Sequence, residues 1–339
     1  MKAKGFLKFI LEVIAAFAVV LAALYLCDSR RVFASDELNN HIGKKWHYLY
    51  QYAKENKPVD LLIIGNSHAY TGLLPEMMTK QLGMRCFILA APGVSMDECS
   101  FMLEEALQII SPKLVILETY PINEYVQKEL DGQMLSDQYA RFENRRDRSI
   151  KLESSLKLFR LDDVPMAWSS TLRNHDILFD NPGLLKYNLK HPEPPQYDPK
   201  EEYLGRYARF KKGLSQETLD RYRSEGAPVD GRSIVPGPDA IKATRRMVEM
   251  CRNKDIPVMF FTIPMYHEHV SGAKEWHENL RPLIGNVPWL DLQLPGYDSS
   301  FGPECFEDTY HANQHLTIEG AKRATQILSE FIRRYTRRR

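Results

Sequence analysis

A short apolar run that stops abruptly in small polar residues constrains this chain more than any other stretch. Residues 60–70 read Asp-Leu-Leu-Ile-Ile-Gly-Asn-Ser-His-Ala-Tyr. A continuous apolar run with adjacent isoleucines fits a strand buried on both faces, as in a parallel sheet. Gly65 tolerates tight backbone geometry and Asn66 is a good helix cap, so the strand is expected to turn sharply into a helix. Open parallel sheets bind ligands at the carboxyl ends of their strands. Ser67 should therefore present its hydroxyl to a crevice. Read alone, the same turn is an ordinary helix cap, so its meaning depends on what the rest of the chain brings to that edge.

The following residues repeat the pattern. Residues 84–89 form a second apolar run ending in Ala90-Ala91-Pro92-Gly93-Val94-Ser95. Ser95 should cap a helix over 96–110, whose apolar residues recur every three to four positions. Ser111-Pro112 stops that helix, and a third strand is expected over 113–119. Strand, helix, strand, helix, strand with short links implies a parallel α/β sheet with right-handed crossovers. The rhythm returns near the end of the chain, with a helix over 238–254, strands over 256–263 and 287–292, and a terminal helix capped by Thr317. Between them, residues 125–235 are rich in charge, tyrosine and proline, the clearest loop being 191–195. Helices are expected there at 134–160 and 214–224. This segment reads either as an insertion covering the crevice, where substrate choice is often made, or as a solvated elaboration away from the chemistry.

Ahead of the sheet, Phe9 to Cys27 is apolar apart from Glu12 and follows Lys2, Lys4 and Lys8. At about 1.5 Å per residue such a helix reaches roughly 28 Å, close to the ~30 Å hydrocarbon core of a bilayer. It is a membrane helix or a signal peptide. The only small-residue cleavage pattern, Val32-Phe33-Ala34 before Ser35, lies far from the apolar segment, which favours an uncleaved anchor over 1–34 with the 35–339 domain outside the cytoplasm. Lys and Arg (45) balance Asp and Glu (44), so nothing points to nucleic acid. The five cysteines have no metal spacing, and Cys86 and Cys99 are the only pair placed to merit inspection as a disulfide.

A serine at the end of the first strand needs a base, and a histidine base is usually oriented by a carboxylate. The closing segment, Glu307-Asp308-Thr309-Tyr310-His311-Ala312-Asn313-Gln314-His315, supplies both types of group at the same sheet edge. Gly65-Asn66-Ser67-His68, a glycine loop after strand two and Asp-x-x-His before the last helix together resemble the SGNH/GDSL hydrolase family, in particular its membrane-anchored bacterial envelope members of the polysaccharide O-acetylation type. The resemblance spans 60–125 and 238–335.

The resemblance implies a flavodoxin-like, three-layer α/β/α fold and a serine esterase or acyltransferase with no cofactor and no metal. It implies Ser67 as nucleophile, with its own amide and that of Gly93 in the oxyanion hole. The family's third block, Gly-x-Asn-Asp, is absent: the third strand ends Leu117-Glu118-Thr119-Tyr120-Pro121-Ile122-Asn123, and Asn123 is the only nearby asparagine. Asp308 and His311 have the family's acid-to-base spacing, whereas His315 and Gly320 have its base-to-glycine spacing. Capping by Thr317 favours His315 as the base, with Asp308 the carboxylate for either histidine. His68 is expected to point away from the nucleophile, either supporting the site residues from behind or packing, and His267 and His269 to line the crevice. A short acyl ester, chiefly acetyl, of an envelope glycan is the implied substrate. The two departures from pattern motivate an alternative, a domain without catalysis that binds a glycan or an envelope-assembly protein.

Overall fold

The computed structural model describes residues 3–34, 39–123, 130, 132–193, 197–198, 202–206 and 211–337. Ser35 of the cleavage pattern, Pro194 and Pro195 of the proline loop and the last two arginines lie outside the described residues. Five strands form the main sheet: β1 (Leu61–Gly65), β2 (Cys86–Ala90), β3 (Leu114–Glu118), β4 (Val258–Thr262) and β5 (Trp289–Asp291). Their order is β2-β1-β3-β4-β5 and every pairing is parallel. The chain is thus an α/β protein, as the strand–helix rhythm implies.

Alternate strand residues feed two separate buried clusters, which is why the runs are apolar throughout. Leu62, Ile64, Phe87, Leu89, Val115, Leu117 and Phe260 join one cluster with α2 (Asn39–Lys54), α5 (Met96–Ile109), α13 (Pro238–Arg252) and α14 (Ala273–Ile284). Leu61, Ile63, Ile88, Ile116, Met259 and Phe261 join the other, with α4 (Pro75–Leu82) and α15 (Ile318–Thr336). Ser95 caps α5 by accepting from the Glu98 amide, and Thr317 caps α15 by accepting from the Gly320 amide. The helix expected after β1 is two: a six-residue α3 (Ser67–Gly72) and then α4, broken at Leu73–Leu74 because Pro75 restricts the residue before it and starts a new helix.

The intervening segment is helical in short pieces. The helix expected over 134–160 is interrupted: α6 (Gly132–Glu143) ends, and Asp147 caps a new helix, α7 (Arg148–Leu158), by accepting from the Ile150 amide. Then come α8 (Val164–Trp168), α9 (Ser170–Arg173), α10 (Ile177–Asp180), α11 (Pro182–Lys190) and α12 (Gln216–Glu225). The segment rejoins the domain through a two-residue parallel pair, Val229–Asp230 with Val270–Ser271. At the other end of the chain, α1 (Ala3–Ser29) contains one stretch, Gly5–Ser29, long and apolar enough to cross a membrane and not buried by the rest of the protein. Just past its end Arg31 takes a left-handed φ of 53°, while the Val32 amide donates back to the Cys27 carbonyl, the pattern that closes many helices. All five cysteines are unpaired thiols, so Cys86 and Cys99 do not form a bridge.

Candidate active site

The carboxyl ends of β1, β2 and β3 lie side by side, and β1 delivers Ser67 as the first residue of α3. Asn66 caps that helix, its side chain accepting from the His68 amide at 3.0 Å. Gly65 does not need an unusual φ here. It is glycine because a Cβ would sit 2.6 Å from the Cβ of Glu118 on the neighbouring strand. Glu118 itself is buried and its Oε1 accepts from the Tyr120 amide at 2.7 Å, shaping the end of β3.

Ser67 and His315 are both buried, and the His315 Nε2 lies 2.8 Å from the Ser67 Oγ. The other ring nitrogen, Nδ1, lies 3.3 Å from the Glu307 Oε2, an ion-pair distance whose alignment falls short of a formed hydrogen bond. Such contacts commonly tighten only with substrate bound. Lys211 caps the chain by contacting the Glu307 Oε1. His315 facing it, and Lys211 beyond, hold the Glu307 carboxyl down to about 2 against the opposing effect of burial. A hydroxyl, an imidazole and an ionised carboxylate therefore stand in line.

The carboxylate facing the base is thus Glu307 and not Asp308, which corrects the spacing-based expectation. The reason is local pairing. Phe306 and Leu316 form an antiparallel bridge, and the Glu307 amide donates to the His315 carbonyl at 2.8 Å. This brings residues eight apart into contact and makes the Asp-x-x-His spacing irrelevant. Asp308 faces the other way: its Oδ1 accepts from the Ser215 amide at 3.0 Å, the Ser215 hydroxyl at 3.0 Å and the Thr218 hydroxyl at 2.6 Å. His311 is exposed, its amide donating to the Thr309 hydroxyl, and it has no place at Ser67.

His68 does not point away. Its ring centroid is 4.9 Å from that of His315, its Nε2 lies 2.8 Å from the Asn313 Oδ1, and Tyr120 stacks on it at 3.8 Å. Since the Asn313 oxygen only accepts, His68 carries its proton on Nε2. Burial first, and the nearby His315 second, push its pKa well below the usual histidine value, so it stays neutral beside the base. His269 is buried too, its Nδ1 2.7 Å from the Tyr222 hydroxyl, and burial pushes it down to about 4. His267 is half-exposed next to Glu268. Among the described residues no group of three or more His, Cys, Asp or Glu is placed to hold a metal ion.

Three donors lie at adjacent strand ends, and among the described residues none of them has an acceptor. The Ser67 amide is the first of α3, where no intrahelical partner exists. The Gly93 amide sits in a left-handed turn with φ 56° after β2, where a Cβ would meet only open space, so conformation rather than crowding requires glycine. The Asn123 side-chain amide, on the 3₁₀ turn Tyr120–Asn123 after β3, is buried with neither its nitrogen nor its oxygen hydrogen-bonded. The glycine turn is held from beneath: Arg141 of α6 donates to the Pro92 carbonyl at 2.6 Å and to Glu98 at 2.8 Å, and the buried Lys45 donates to the Ala90 carbonyl at 2.5 Å.

Glu307, Lys211, Tyr222 and Arg141 were not legible as site residues. Only the apolar pair Phe306 and Leu316, flanking the polar closing loop, hinted that its ends meet. A separate cavity of about 500 Å³ lies at the amino-terminal ends of β4 and β5, lined by Val248, Arg252, Pro257 and Pro288. Neither the protein-family models nor the curated proteins contain a match to this chain.

Proposed function

We propose that the chain is a membrane-anchored, exported serine esterase or acyltransferase of the SGNH type, with a three-layer α/β/α domain, acting on a short acyl ester of an envelope glycan. The observation that carries the reading is the line Ser67 Oγ, His315, Glu307, with 2.8 Å between hydroxyl and base. The two buried clusters fed by alternate strand residues support the layered fold. The apolar Gly5–Ser29 stretch behind Lys2 and Lys4 supports an anchor with the domain outside. The glycan and the acetyl group rest on the family resemblance.

In this reading Ser67 Oγ attacks the ester carbonyl while His315 Nε2 takes its proton, and the Glu307 carboxylate orients the ring and stabilises the imidazolium. The oxyanion is held by the Ser67 and Gly93 amides and the Asn123 side chain, which takes the place of the missing third block. Collapse expels the alcohol, protonated by His315, and leaves an acyl group on Ser67. Water or a glycan hydroxyl, deprotonated by the same histidine, then removes it.

The test is a fluorophosphonate probe together with hydrolysis of an aryl acetate. Wild type should be labelled and active, and Ser67→Ala should lose both while keeping its fold by circular dichroism. An unlabelled wild type, or full activity in Ser67→Ala, overturns the enzyme reading and leaves the domain as a glycan- or partner-binding module.

A further inference from the structure

Outside α1, exposed large apolar side chains are concentrated in one stretch of the chain. Among the described residues, nine of these eleven fall between Leu152 and Leu189. Six of the nine, Met166, Trp168, Leu178, Phe179 (78% exposed), Tyr187 and Leu189, lie on α8, α10 and α11. Scattered single apolar residues need no explanation, but such a concentration marks an interaction surface.

The same helices clasp the end of the apolar α1. The Asp28 Oδ1 accepts from the Ser170 hydroxyl at 3.0 Å, the Thr171 amide at 2.8 Å and the Thr171 hydroxyl at 2.7 Å. Asn174 donates to the Phe33 carbonyl at 2.8 Å, and Asn188 to the Val32 and Ala34 carbonyls at 3.1 and 2.9 Å. Six hydrogen bonds thus fix α9 and α11 to residues 28–34, where the membrane-crossing stretch ends. A surface tied to that point is continuous with the bilayer that α1 would enter.

We infer that α8–α11 form an interfacial foot that rests its exposed apolar side chains in the headgroup layer of the bilayer spanned by α1. This rests on the anchored reading of α1. Tyr187 and Trp168 are the amphipathic rings favoured at that depth, and exposed Arg30, Lys186 and Lys190 can reach lipid phosphates. Asp176 and Asp180 bracket Leu178 and Phe179, so apolar contact rather than net charge supplies the attraction. The foot should therefore engage zwitterionic as well as anionic lipid. Functionally it would convert a swivelling tether into a fixed mount, holding the Ser67 crevice at one height and tilt above the membrane.

The experiment uses the full-length protein in phosphatidylcholine nanodiscs, in a Cys27→Ser background whose other cysteines are buried. Nitroxide labels are placed through Val19→Cys in α1, Phe179→Cys in the foot and Val235→Cys as an exposed reference, and collision with oxygen is compared with collision with a water-soluble nickel chelate. The expected result is an oxygen-to-nickel ratio several-fold higher at 19 and 179 than at 235. A high ratio at 19 with a water-like one at 179 overturns the foot and leaves the anchor standing. Water-like ratios at both overturn the anchor and with it the foot. Shielding of 179 from both reagents also overturns it and points to a protein partner or a second copy.

Discussion

Two parts of the inserted segment are both rich in charge and have opposite fates. The part from Lys211 through α12 turns its polar groups inward onto the closing loop: Lys211 onto Glu307, Ser215 and Thr218 onto Asp308, and the Tyr222 hydroxyl onto His269 and the Thr309 carbonyl. The part from α7 to α11 turns polar groups toward the exit of α1 and leaves its apolar side chains outside. Among the described residues no hydrogen bond joins one part to the other. One part is bonded to the closing loop that carries Glu307, and the other to the residues that follow α1.

The sharpest way to break that contrast is through Glu307. Glu307→Gln keeps the shape but removes the charge that holds the His315 tautomer, and should lower kcat by about 10²–10⁴. His315→Ala should be at least as severe, while His311→Ala should leave kcat/KM within roughly twofold. Steady-state hydrolysis of an aryl acetate reads all three. An inert Glu307→Gln would mean that Lys211 and its neighbours stabilise the loop without serving the chemistry.

A second test exploits pH. His269 is buried neutral against Tyr222 with its pKa at about 4. Its ordinary value is about 6.5. Between those values the unfolded chain binds a proton that the folded one does not, so stability is full above pH 6.5 and is lost as pH falls toward 4. The loss attributable to this ring is up to about 3 kcal/mol. Neutral His68 acts in the same direction. Glu307, held at about 2, contributes stability that is lost only below its ordinary range, so it does not account for a loss above pH 5. Thermal unfolding of wild type and His269→Gln across pH 4–7 should show a flatter profile in the variant. Parallel curves would show that the Tyr222 contact does not control protonation.

How much of this was legible in the sequence depends on how local each determinant is. The strands, the Ser95 and Thr317 caps and the position of Ser67 follow from apolar runs and neighbouring polar residues, and they are where the sequence places them. Helix boundaries were less secure, because the Asn144–Arg146 break depends on a cap at Asp147 that competes with an otherwise helical pattern. The carboxylate was misread for a different reason. Glu307 and Asp308 are adjacent and chemically alike, and only the Phe306–Leu316 bridge decides which one faces His315. Similarly, nothing near Pro92 announces that Arg141, 49 residues later, will hold its carbonyl.

The neighbouring carboxylate provides a smaller test. Asp308→Ala leaves three donors of Ser215 and Thr218 without their acceptor, and should destabilise the protein by ~2 kcal/mol. Because Glu307 keeps its own contacts with His315 and Lys211, kcat should fall far less than in Glu307→Gln. Urea unfolding together with the ester assay separates the two effects. Equal losses of kcat in both variants would make Asp308 part of the chemistry after all.

The smallest effect is expected at the membrane end, and it bears most directly on the independence of the two parts. Asp28 accepts from three donors of α9, so Asp28→Ala should loosen α8–α11 locally. Hydrogen exchange should accelerate over 164–190. Global stability should fall by no more than ~1 kcal/mol, because these helices bury little of their own surface and local opening draws on the low end of a protein's stability. Turnover of a soluble ester should stay within roughly twofold, since no hydrogen bond links α9 to Ser67, His315 or Glu307. If instead Asp28→Ala slows the soluble ester as much as Asp308→Ala does, the mount and the catalytic loop are coupled, and the inserted segment transmits the state of the anchor to the site.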